Sequence, residues 1–205
     1  PQGWTSDDTD AAERVKIQYG TSMCYPVSSM GSHVSVVPNH QLNRKTPLHT
    51  RANVAYFGTF GYELDLNKLS YEEISEVKQQ IAFMKEYREL IQFGTFYRLK
   101  SPFEGNETAW MTVSEDKKTA LVFWYRERNV VNADFTRVRL QGLDPDFIYR
   151  NEYNGTENYG DELMNLGLLT TDCTAGEPTS EDAPCTDYES RIYVLTTVAR
   201  IPSPL

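Results

Sequence analysis

Ser70 to Gly94 is the stretch that most restricts how this chain can fold. Ile74, Val77, Ile81, Met84, Tyr87, Leu90 and Ile91 recur there at three- and four-residue spacing, with Glu and Lys between them. That spacing puts apolar side chains on one face of an α-helix. Ser70 stands where a hydroxyl can accept from the first free amides, and Gly94 stands just past the last turn. The stripe reads as core packing, with no functional role.

The texture differs on the two sides of this helix. From Thr95 onward it is β: Phe96 to Leu99, Ala109 to Val113 and Thr119 to Tyr125 around the polar turn SEDKK, Thr136 to Leu140, and Arg191 to Ala199. Short strands at such spacing suggest an antiparallel β-sandwich. On the N-terminal side, Ala11 to Tyr19 has helical composition with Thr9 or Asp10 as its cap. MGSHVSVVPNHQ reads as a strand running into a loop. Over 51–65, Val54, Tyr56 and Phe57 precede Gly58 and Gly61, which break any long regular element. The expected division is therefore a mixed helix and strand segment, 1–94, and an all-β domain, 95–205.

Charge narrows the functions. With 29 acidic and 20 basic side chains the formal charge is -9, a surface that on average repels nucleic acid. No run approaches the roughly 18 apolar residues of a membrane helix. Cys173 and Cys185 flank the polar loop TAGEPTSEDAP, and a disulfide between them is the preferred reading, with two free thiols as the alternative. Cys24 stands alone in an apolar context. Two sequons, at Asn106 and Asn154, point with the cysteine pair to an oxidising, secretory compartment and an extracellular protein.

The segment WTSDDTD holds Trp4, Asp7, Asp8 and Asp10. Spacing alone describes a solvated, Asp-rich helix N-terminus. DDTD lacks the spaced ligands and Gly of a calcium loop, and no Cys or His pair has zinc-like spacing, so neither a metal nor another cofactor is expected. His33 and His40 read as hydrogen-bonded structural histidines. Arg14 and Arg51 can pair with the Asp cluster or form ordinary salt bridges. Trp4 suits a sugar face or a core equally. No G-x-S-x-G motif supports a serine nucleophile.

Four collinear stretches resemble glycoside hydrolase family 36, in particular its α-galactosidases: WTSDDTDAAERVKIQYGTS, YPVSSMGSHVSVVPNHQ, TPLHTRANVAYFGTFGYELDL and YRLKSP. The resemblance implies a retaining exo-glycosidase that removes terminal α-linked galactose from oligosaccharides of the raffinose and melibiose type. The implied fold is the C-terminal remnant of a (β/α)8 barrel over 1–94, followed by a C-terminal antiparallel β domain. The family's nucleophilic Asp would precede Pro1. Its acid/base residue lies in W-x-S-D-x-T-D, which makes Asp7 the proton donor, with Asp8 and Asp10 as alternatives if the register is displaced. Such a carboxyl works opposite a second one roughly 5 to 5.5 Å away, and a raised pKa keeps it protonated before the first step. Trp4 becomes a substrate-binding candidate. Family members often form tetramers, so a homo-oligomeric parent is implied. Two other readings remain: a non-catalytic module for packing or glycan binding, and a transglycosidase of the raffinose synthase type. The 205 residues alone are expected to be inactive, since covalent catalysis needs both carboxylates.

Overall fold

In the computed structural model, which describes residues 2–130, 135–170 and 187–200, the chain divides into two units, Pro1–Gly94 and Thr95–Leu205. The first is mixed α/β. Helix α1 (Ala11–Thr21) leads to strand β1 (Gly31–Ser35), helix α2 (Leu48–Ala55), strand β2 (Thr59–Glu63) and the long helix α3 (Tyr71–Phe93). β1 and β2 pair in parallel, from Gly31 opposite Thr59 to Ser35 opposite Glu63. Parallel strands need a crossover between them, and α2 supplies it. The incoming chain joins through a parallel bridge of Gly3 to Met30.

Burial explains why these segments hold. Val34 and Ser32 on β1 are inaccessible, and Ala11, Ala12 and Val15 of α1 and Ala52, Val54 and Ala55 of α2 are buried. Polar groups between β1, α1 and α2 are paired, as burial favours. Ser32 Oγ donates to Gln18 Oε1 at 2.8 Å, and Gln18 Nε2 donates to the Val54 carbonyl at 2.8 Å.

Two expectations for this unit change. The stretch 51–65 holds two regular elements: α2 runs to Ala55, the chain breaks over 56–58 at the first glycine as expected, and β2 then continues through Gly61. The face of α3 is also shifted. Ser70 forms the cap, with a reciprocal bond from its own amide to Glu73, and Val77, Met84 and Ile91 are buried, but Ile81 is exposed. Gln80 is buried in its neighbourhood, accepting from Tyr62 Oη at 2.8 Å and donating to Glu76.

The second unit is an antiparallel sheet. Its strands are β3 (Thr95–Lys100), β4 (Glu107–Val113), β5 (Thr119–Arg126), β6 (Arg137–Val138), β7 (Phe147–Asn151), β8 (Glu157–Tyr159), β9 (Leu168–Leu169) and β10 (Glu189–Arg200), with helix α4 (Gly160–Asn165) between β8 and β9. Among the described residues the order is β3-β4-β5-β10-β7-β8, with β6 and β9 as a separate pair. β4 and β5 form the expected hairpin. β10 lies inside the sheet, between β5 and β7. Met111, Val122, Trp124, Tyr149, Tyr193 and Leu195 build the core with Val138, Leu140 and Leu163. The strand expected over Thr136 to Leu140 shortens to β6. Sequence reading missed β7, β8 and α4. Cys173 and Cys185 lie outside the described residues. Among the described residues no helix is long and apolar enough to cross a membrane.

Candidate active site

The Asp-rich segment enters beside the parallel strands and then runs into α1, and its three carboxylates have different surroundings. Asp10 is the helix N-cap: its side chain is buried and accepts from the Glu13 amide at 3.1 Å. It also pairs with Arg44 from the loop after β1, and Asn39 of that loop donates to Thr9 Oγ1 at 3.2 Å. Asp8 is half-buried and accepts from the Asp10 amide at 2.9 Å, closing a local turn. Asp7 is exposed. Its carboxylate accepts a hydrogen bond from Trp4 Nε1 at 3.1 Å. Asp7 is thus the member whose carboxylate holds neither a turn nor a cap.

The backbone beneath Asp7 is well fixed. Arg14 of α1 donates to the Gly31 carbonyl at 2.5 Å and to the Ser6 carbonyl at 3.4 Å, and Thr5 Oγ1 donates to Gly31 at 3.3 Å. Burial pushes the Arg14 pKa down, while Asp8 and Glu63 pull it up. Glu63 ends β2. His33, on β1, lies against the Trp4 ring at 4.9 Å between centroids, tilted by 36°. Burial lowers its pKa below the usual imidazole value; Glu63 opposes the shift and Arg14 adds to it. The ring is therefore neutral near pH 7.

Contacts and charge interactions thus link Trp4 with Asp7 and His33, and Arg14 with Asp8, His33 and Glu63, along the parallel strands. Arg51 is not in this group. It donates to the Ser35 carbonyl at 2.6 Å, and its acidic neighbours are Glu73 and Glu76 on α3. His40 is exposed on the loop after β1. Among the described residues, no three His, Cys, Asp or Glu side chains form a metal-binding group. Cys24 is exposed, contrary to its apolar sequence context; with Trp4, Tyr25, Pro26 and Met30 it lines an open hollow. Sequence reading missed Arg44 and Glu63. Arg44 lies 34 positions from Asp10, and no spacing rule connects them.

The two sequons also differ. Asn106 is half-buried; its Nδ2 donates to the Arg128 carbonyl at 2.7 Å and its Oδ1 accepts from the Arg128 amide at 2.9 Å. Asn154 is exposed, and its Oδ1 accepts from Thr156.

Two family models match in tandem: melibiase over residues 1–94 and the glycosyl hydrolase family 36 C-terminal domain over residues 107–195. The chain belongs to glycoside hydrolase family 36. Among its relatives, alpha-galactosidase AgaA of Geobacillus stearothermophilus is 56% identical over 168 residues, 82% of this chain and 23% of that protein. The crystal structure of the alpha-galactosidase from Lactobacillus brevis superimposes with a TM-score of 0.92 at 44% identity, covering 100% of this chain and 27% of that one. A variant of AgaA in complex with raffinose superimposes with a TM-score of 0.88 at 49% identity, covering 97% of this chain and 26% of that one. The chain thus spans about a quarter of the length of these family 36 relatives. Trp4, the three Asp, Arg14, His33 and Glu63 all fall inside the melibiase match.

Proposed function

We propose that these residues carry the proton-transfer half of a retaining α-galactosidase acting on oligosaccharides of the raffinose and melibiose type. The observation that carries the reading is the difference among the three carboxylates. Asp10 and Asp8 are committed to cap, ion pair and turn, whereas Asp7 is exposed beside an indole N–H. In the proposed reaction, Asp7 as the acid gives its proton to the glycosidic oxygen while a second carboxylate, from another part of the protein, attacks the anomeric carbon. The leaving sugar departs, and Asp7, now the base, takes a proton from the water that cleaves the glycosyl-enzyme. Trp4, 58% exposed, is a candidate surface for the galactose ring.

The same proposal reads 1–94 as the late part of a (β/α)8 barrel, supported by the β1-α2-β2 unit and its parallel pairing. It reads 95–205 as a β-sandwich domain, supported by the antiparallel sheet. It includes a homo-oligomeric, tetrameric parent. It also includes secretion with a bridge from Cys173 to Cys185, for which the exposed sequon at Asn154 is the support on the described surface.

The test is Asp7→Ala in the full-length protein, with azide added. Without the acid/base carboxylate a small anion can replace water at the glycosyl-enzyme, so an α-galactosyl azide should accumulate from an activated substrate. Azide without effect on a slow variant, or a variant as active as the parent, would show that Asp7 is not the donor.

A further inference from the structure

The hydrogen bond from Trp4 to Asp7 has a chemical consequence beyond sugar stacking. Trp4 Nε1 can only donate, and at 3.1 Å it points its proton at Asp7 Oδ1. A donor on a carboxylate favours the ionised form and fixes which oxygen remains for proton transfer. The indole is itself held: the His33 ring lies against it at 4.9 Å. The backbone on either side is tied to β1, by the Gly3 amide donating to Ser29 at 2.7 Å and by Thr5 Oγ1 donating to Gly31.

We infer that Trp4 is a positioning residue for Asp7, its N–H setting the orientation of that carboxyl, with His33 acting as the backstop that holds the indole in place. The inference rests on Asp7 being the acid/base group. The titratable and charged groups on the elements packed against this segment include Asp8 on the same loop, Arg14 on α1, His33 on β1 against the indole, and Glu63 on β2, which acts on Arg14 and His33. Asp8 and Glu63 both act on the Arg14 charge, and His33 is neutral near pH 7. The indole N–H is the donor that the structure brings to Asp7. Its loss leaves the Asp7 carboxyl without that fixed orientation.

The experiment uses the full-length protein. Trp4→Phe keeps a ring against His33 and a face for a sugar but removes the N–H. For an unactivated galactoside such as raffinose, whose departure needs the proton, kcat should fall several-fold while KM changes less than twofold. His33→Ala, which removes the backstop, should lower kcat in the same way by a smaller factor. It serves as the second probe if Trp4→Phe does not fold. A Trp4→Phe variant with the parent's kcat and only KM raised would assign Trp4 to sugar stacking and overturn the inference. Asp7→Ala, run in parallel, separates the two failures: if it keeps full turnover of raffinose, the assignment of Asp7 itself has failed.

Discussion

Replacing Arg44 by Met should reveal what fastens the Asp-rich segment to the loop after β1. The Asp10 side chain is 1% exposed and that of Arg44 22%, and the guanidinium also reaches Glu13 at 3.5 Å. Removing one partner of a fully buried ion pair costs about 3 to 5 kcal/mol, because a charge stays behind without compensation. Two features reduce that figure here. Arg44 is partly solvated, and Asp10 keeps the Glu13 amide and the positive end of α1, together worth about 1 kcal/mol. Arg44→Met should therefore cost about 2 to 3 kcal/mol. Asp10→Asn keeps an N-cap of comparable quality and leaves Arg44 with Glu13, so it should cost about 1 kcal/mol. In the double variant no buried charge is stranded, and its loss should fall short of the sum by about 1 to 2 kcal/mol. Urea unfolding of the full-length proteins, followed by circular dichroism, gives the comparison through the shift in midpoint. Strictly additive losses, or an Arg44→Met variant within about 0.5 kcal/mol of the parent, would refute the buried-pair argument.

Other expectations follow from single features. Gly58→Ala would place a methyl 2.5 Å from Ser32 Cβ and 2.9 Å from the Met30 carbonyl, and should cost about 1 to 3 kcal/mol of overpacking, read as a lowered melting temperature. His33 has a folded pKa below its unfolded value, so the unfolded chain binds more protons over that interval; stability should fall as pH drops below about 6.5, and His33→Phe should flatten that fall in a series of melting curves. If the protein is expressed through a secretory pathway, peptide mass spectrometry should find glycan on Asn154 and not on Asn106, whose amide nitrogen is engaged with Arg128.

How far the sequence spoke for the fold depended on the range of the forces involved. α3 was legible because its cap, its periodic face and its terminal Gly are local signals. Its exact face was not, since the burial of Gln80 in place of Ile81 depends on Tyr62, a partner 18 positions away. β2 was hidden by Gly61 within it and Gly58 just before it, both read as breakers. Gly58 instead allows the backbone to approach Ser32 and Met30, a demand that arises only once β1 and β2 are side by side. β7 was missed because its pairing is set by β10, from the far end of the chain. In the candidate site, the cap by Asp10 and the grouping of the three Asp could be read from spacing and from the family resemblance. Arg44, Glu63 and the contact of His33 with Trp4 come from loops and strands brought together by the fold, and no local pattern announces them.

The most direct test is the leaving-group dependence of full-length Asp7→Ala. Measured as kcat/KM relative to the parent, raffinose hydrolysis should fall by about 10²-fold or more, the scale of a lost general acid. A dinitrophenyl galactoside, whose leaving group needs no proton, should keep most of its rate in the first chemical step. Equal losses on both substrates, or no loss on raffinose, would contradict the assignment of Asp7 as proton donor.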